Sequence, residues 1–154
     1  METVGQTRVK LGYLGGFFDG EGCVGLYKRT IKAGSRPGQA NDRTHFVPSI
    51  TVTNTNRLPL QGFVSEFGGR IKTTERKGNH RTCYTWDLRG LDNIMNFVEA
   101  IGEYTLAKSS ELAVLMEVCE SMKLTGRQPL TEEELNNRLT ASNKLKEMKR
   151  EGNG

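Results

Sequence analysis

"LGGFFDGEGCVG", residues 14–25, decides the reading of this chain. An apolar, helix-like start runs into a cluster of glycines, and two carboxylates, Asp19 and Glu21, stand among them. The stretch "TRVKLGYLGGFFD" (7–19) spaces Val9, Leu11, Leu14, Phe17 and Phe18 as a helix would, so a helix is predicted there. Gly12, Gly15 and Gly16 each cost such a helix about 1 kcal/mol against alanine. Gly12 and Gly16 lie one turn apart on one face, where missing side chains admit a second backbone. Packing against another helix is the natural compensation. If the helix ends near Asp19, both acids sit at its negative end, which is unfavourable by up to about 1 kcal/mol. Acids placed against that preference call for a cation. A hard divalent ion such as Mg²⁺ takes carboxylate oxygens, polarises a phosphodiester and activates water. One or two carboxylates per chain are few for that chemistry. Two copies of the helix packed about a two-fold axis supply enough.

Two other glycine readings fail. Gly20, Gly22 and Gly25 spell G-x-G-x-x-G, but a dinucleotide site needs a strand before the glycines and a helix after them. Here the order is reversed, so no helix N-terminus faces a phosphate. A calcium loop starting at Asp19 would end on Thr30 where a glutamate is required.

The whole of residues 1–154 reads as one domain, long enough to bury a core. No apolar run approaches the roughly 20 residues of a membrane span, and the first ten residues lack a secretory core. Cys23, Cys83 and Cys119 form no C-x-x-C, so neither a disulfide framework nor a thiolate zinc site is expected. A reducing, cytoplasmic or organellar setting is expected, without membrane attachment. Residues 25–90 hold twelve Lys and Arg against four acids, a balance of +8 in a chain of net +4. That asymmetry points to a directed polyanion-binding surface.

"CVGLYKRTIK" (23–32) and "THFVPSITVTNT" (44–55) read as strands joined by the turn-rich 33–42, with Pro48 weakening the ladder or marking an edge. Residues 56–69 read as a helix capped by Asn56 and stopped by Gly68 and Gly69. Residues 70–90 form a hairpin turning at 77–80. Its parity puts Arg70, Lys72, Thr74 and Arg76 on one face, with Arg81, Cys83, Thr85 and Asp87 on the polar face of the return strand. Tyr84, Trp86 and Leu88 take the other face, and helices are expected behind it. Helices follow at 91–104 (Asp92 as cap), at 105–123, and at 131–150 with a Thr131/Glu134 capping box. The fold class is therefore α+β, an αββαββα core over about 7–124 with a mixed or antiparallel saddle-shaped sheet and a C-terminal helical extension over 131–150.

"LGGFFDGEG" (14–22) resembles the LAGLIDADG motif of homing endonucleases, commonly L-A-G-F-x-D-G-E/D-G, with Gly15 in place of the usual alanine. The likeness extends through the long hairpin, "VTNTNRL", "FGGRI", the second hairpin and "YTLAKSSEL". With one motif in the chain, the resemblance implies a homodimer whose motif helices meet at the interface, with Gly12, Leu14, Gly15, Gly16 and Phe18 in it. It implies that Glu21 is the Mg²⁺ ligand of each subunit, that Gly20 lends a backbone carbonyl, and that Asp19 ranks below Glu21 as a ligand. It further implies that Lys108 stands near the metal and its waters, that Asn54 positions water, and that Arg57 matches a basic residue behind the ligands. The implied reaction cuts both strands of a long pseudo-palindromic DNA target across the minor groove, leaving 3′ overhangs, by an enzyme encoded in a mobile intron. The alternative on the same fold is an intron-RNA-binding maturase or a DNA-binding protein that does not cut. The sheet would enter the major groove, with Lys28, Thr30, Lys32, Arg36, Arg43, Arg70, Lys72, Thr74, Arg76, Arg81 and Thr85 as candidate DNA contacts.

Overall fold

The computed structural model describes residues 2–75, 77, 78 and 81–152. The first helix, α1 (Val4–Glu21), is longer at both ends than the predicted 7–19. Its start is set by a capping box: Thr3 Oγ1 accepts the Gln6 N–H at 3.1 Å, and the Gln6 carboxamide accepts the Thr3 N–H at 2.8 Å. Its end is set by Gly22, which caps α1 and is already the first residue of strand β1 (Gly22–Ile31). A Cβ at Gly22 would lie 2.3 Å from the Phe18 ring, so only glycine permits this loop-free passage from helix to strand. Glu21 is thus the last helical residue, and Gly20 stays inside the helix.

Strand β2 (Arg43–Asn54) returns along β1, followed by α2 (Leu58–Phe67), β3 (Arg70–Thr74), β4 (Cys83–Leu88) and α3 (Leu91–Ile101). A 3₁₀ turn over Gly102–Tyr104 leads to α4 (Ser109–Thr125) and α5 (Glu132–Gly152). The sheet order is β1-β2-β4-β3, and every pairing is antiparallel. Pro48 lies in β2 beyond the reach of β4, which pairs only with Ile50–Asn54, so a missing N–H is tolerated there. Arg76, and His80 in the predicted turn, lie outside the described residues.

One face of the sheet carries Val24, Leu26, Phe46, Ile50, Val52, Trp86 and Leu88, all buried under the helices. Their alternation with polar residues is what makes a one-sided sheet. Leu14 and Phe18 of α1, Phe63 of α2, Phe97 of α3 and Leu115 of α4 complete this core. Trp86 is its hub. Its ring stacks on Phe63 at 4.7 Å between centroids, and Nε1–H donates to the Gly68 carbonyl at 2.8 Å. Trp86→Ala should lower unfolding free energy by about 3–5 kcal/mol, measured by chemical denaturation, because it opens a large cavity. A loss under 1 kcal/mol would contradict this packing.

The starts of α3 and α4 also differ from expectation. The predicted 105–123 helix begins only at Ser109, because residues 106–108 give their N–H groups to Asp19 instead. Asp92 does not cap α3: Gly90 holds the cap position without a side-chain bond, and Asp92 pairs with Lys123 at 3.1 Å. The Thr131/Glu134 box forms as read. α5 then lies over β1, where Ser142 Oγ donates to the Leu26 carbonyl at 2.8 Å and Leu145 enters the core.

Candidate metal and nucleic-acid site

The end of α1, the start of α4 and the end of α5 enclose a cleft of about 590 Å³, lined by Gly20, Glu21, Cys23, Lys108, Glu111 and Lys149 among others. The two acids of the opening stretch behave differently in it. Asp19 Oδ1 accepts the N–H groups of Leu106 (3.1 Å) and Lys108 (2.8 Å), and Oδ2 accepts that of Ala107 (3.0 Å). Lys108 Nζ donates to the Asp19 carbonyl at 3.1 Å. The unfavourable helix-end charge of Asp19 is therefore compensated within the chain. Partial burial raises its pKa, but the three N–H groups and the Lys108 charge outweigh that and hold it below the ordinary 3.8. Glu21, two residues on, is exposed and forms no ion pair among the described residues.

Because Asp19 has a lowered folded pKa, its contribution to stability is full above its unfolded pKa and is lost as pH falls through the folded value. Asp19→Asn should cost roughly 2–3 kcal/mol at neutral pH, since hydrogen bonds to a charged group are the strong ones. Denaturation at pH 7 and pH 3 checks this. The gap between wild type and variant should narrow at the lower pH, and an unchanged gap would contradict the assignment.

Lys108, Gly20 and Glu21 thus line one cleft. Asn54 and Arg57 do not line this cleft. Asn54 Oδ1 accepts the Asn56 N–H at 2.8 Å, which turns the chain from β2 toward α2. Arg57 borders a separate cleft with Gln61, Ser65 and Arg70. Glu111 escaped the sequence reading because it sits in an otherwise apolar-patterned helix, "SSELAVL" (109–115). It is buried beside Lys108 and Lys149, and burial pushes its pKa up against the pull of both cations.

The outward edge of α1 is bare. Gly16 and Gly20 are exposed, and a Cβ at either would meet nothing within 4 Å. Val9 and Tyr13 flank them at 75% and 57% exposure. Leu14, Gly15 and Phe18, expected in an interface, instead face the chain's own core. Leu14 and Phe18 are buried, and a Cβ at Gly15 would lie 2.4 Å from Tyr104 Cβ. Helical periodicity explains the difference: positions 11, 14, 15 and 18 share the inward face, and 9, 13, 16 and 20 the outward one. A Cβ at Gly12, between the two faces, would lie 3.8 Å from the Tyr104 ring.

On the sheet face away from the helices, Arg70, Lys72 and Thr74 of β3 stand beside Thr85 and Asp87 of β4. Asp87 is buried there, with Arg89 Nε at 3.1 Å, Lys72 Nζ at 3.3 Å and Arg70 Nε at 3.8 Å. Burial raises its pKa, but bonds and charges from Arg89 and Lys72 outweigh that, and it falls below the ordinary carboxylate range. Thr53 and Thr85 share a hydroxyl hydrogen bond at 2.9 Å. Arg43 lies on the same outer face, opposite Ile31. Lys28 and Thr30 do not. Register puts Lys28 opposite Phe46 and Thr30 opposite Thr44, on the parity of the core residues. Arg29 and His45, paired with one another, hold the outward positions instead. Counting parity back from Val24 and Leu26 finds them. Lys32, Arg36 and Arg81 are exposed outside the strands.

The profile of the LAGLIDADG-like domain matches residues 8–102, and the chain belongs to that family. Its fold is that of the LAGLIDADG homing endonucleases. The homing endonuclease I-CvuI, solved with the I-CreI target in 2 mM Mg with the DNA not cleaved, superposes at a TM-score of 0.68 and 14% identity, over 92% of this chain and 83% of that one. The archaeal intron-encoded I-Vdi141I, complexed with DNA, gives 0.68 at 20% identity over 92% and 84%. The homing endonuclease I-TnaI gives 0.67 at 17% identity over 92% and 97%. No curated protein matches by sequence. No helix among the described residues is long and apolar enough to cross a membrane.

Proposed function

We propose that this protein is a site-specific, divalent-cation-dependent endonuclease of double-stranded DNA, working as a homodimer and encoded in a mobile intron. The observation that carries the reading is the division of labour at the end of α1: Asp19 is fully engaged by the chain, while Glu21 is free beside Lys108. Among the described residues no three His, Cys, Asp or Glu side chains converge within one chain. The bare edge of α1 would let a second copy bring a second Glu21 alongside. Val9 and Tyr13 would be covered on pairing, Gly16 and Gly20 would allow close backbone approach, and Gly12 would border the seam.

The donor set suits a hard cation: the Glu21 carboxylate and the Gly20 carbonyl would hold Mg²⁺. Such an ion, when bound, polarises the scissile phosphodiester and makes water a better nucleophile. The chain's own groups do the rest. Asp19 fixes the turn over 106–108, and this places Lys108 at the cleft with its ammonium oriented by the Asp19 carbonyl. The fixed cation is then available to charge developing on phosphate oxygens. The outer sheet face offers Arg70, Lys72, Thr85 and Arg29 to the major groove, where base pairs present distinct donor and acceptor patterns.

The test is a cleavage assay on duplex DNA spanning the intron insertion site, with and without Mg²⁺. Cleavage of both strands with short 3′ overhangs, only with metal, is the expected result. Tight binding to intron RNA with all DNA left intact would establish the maturase alternative.

A further inference from the structure

Arg138, in the second turn of α5, is 7% exposed. One terminal nitrogen donates to Thr125 Oγ1 at 3.4 Å, and its buried Nε has no hydrogen-bond partner among the described residues. Burying a guanidinium without an acceptor is costly, and desolvation already lowers its pKa. Glu134 acts on it through space without forming an ion pair among the described residues, and its Oε2 accepts the Thr131 N–H. Arg138 borders a cleft of about 760 Å³ between α5, the 126–130 turn and the far end of the β1–β2 hairpin. Arg36, Arg43 and Arg127 line the same cleft, against the single acid Asp42, whose Oδ1 is taken by the Ala33 N–H at 2.7 Å. Four arginines line a space wide enough for a tetrahedral oxyanion, and the mostly buried Arg138 forms no ion pair among the described residues.

We propose that this cleft binds a backbone phosphate of the DNA target, at a site distinct from the cleft around Glu21. The inference rests on the DNA-binding reading above. Its position follows from β1: ten residues at about 3.3 Å each separate the two ends of the strand by roughly 30 Å. At about 3.4 Å per base pair the phosphate lies roughly nine base pairs from the centre of the target. The cleft is a non-specific anchor for the outer part of each half-site, holding register while the sheet reads bases.

The test is the salt dependence of binding to a duplex long enough to reach past both clefts. Each phosphate contact adds about −0.9 to the slope of log K against log salt. Arg138→Gln should flatten the slope by about 1 per chain. Because a buried position can disturb folding, the double variant Arg36→Gln/Arg127→Gln, at exposed positions of the same cleft, repeats the measurement and should flatten it as well. A slope unchanged in both variants, with wild type binding normally, overturns this inference and leaves the endonuclease reading standing. Inorganic phosphate is the second arm. If it raises the wild-type melting temperature but not that of Arg138→Gln, and the DNA slope does not respond, the cleft serves a free anion and the DNA assignment fails. If wild type shows no duplex binding at all, both readings fall.

Discussion

Glu21→Gln should abolish DNA cleavage, by about 10³-fold or more, while duplex binding and stability stay at wild-type levels. The side chain is exposed at the last position of α1 and forms no ion pair among the described residues. The substitution keeps shape and helix propensity, so stability should move by no more than about 0.5 kcal/mol. It removes the only unengaged carboxylate of the "DGE" stretch (19–21) and with it several kcal/mol of transition-state stabilisation from the held ion. Loss of one negative charge should leave DNA binding equal or slightly tighter. Gel-shift titration beside a cleavage time course separates the two effects. Wild-type cleavage by the variant would remove Glu21 from the chemistry. Loss of both binding and melting cooperativity would make it structural.

Gly16→Arg should leave the fold of each chain intact and dissociate the proposed dimer, and cleavage should disappear with it. Nothing lies within 4 Å of a Cβ at this position, so the monomer accommodates the side chain. The helix itself gains roughly 0.8–1 kcal/mol in propensity from losing a glycine. Across a two-fold axis, however, two arginines would oppose each other where the helices must come within 8–10 Å. Sedimentation at micromolar concentration should show a monomer with native circular dichroism. Gly15→Arg is the contrast: its Cβ would collide with Tyr104, so it should unfold the chain. A Gly16→Arg protein that remains a dimer would place the interface elsewhere.

Much of this arrangement was legible in local sequence. Period and glycine spacing identified α1, alternation separated the Trp86 face from the Lys72 face, and Thr131 with Glu134 marked the start of α5. What escaped depends on partners far along the chain. Asp19 looked like a carboxylate in need of a cation, but its partners are N–H groups at 106–108, almost 90 residues away. Leu14 and Phe18 looked available for a second helix, because nothing local shows that the sheet and α3 close over them. Parity placed Asp87 on the polar face yet could not show that it is buried among Arg70, Lys72 and Arg89. Lys28 and Thr30 were chosen for charge and polarity. Register with Phe46 and Thr44 puts them on the parity of the core face, and Arg29 and His45 on the outer one.

In the proposed enzyme, two copies of this chain each contribute one Glu21 to a shared double-strand cut. Mixed dimers test it most directly. Wild-type and Glu21→Gln chains carrying different affinity tags are co-expressed, the heterodimer is isolated, and its products are resolved on native and denaturing gels with Mg²⁺ present. The expected result is a dimer that binds the target normally and fails to cut both strands at the wild-type rate, accumulating nicked or intact duplex. Double-strand cleavage by the mixed dimer at the wild-type rate would contradict it.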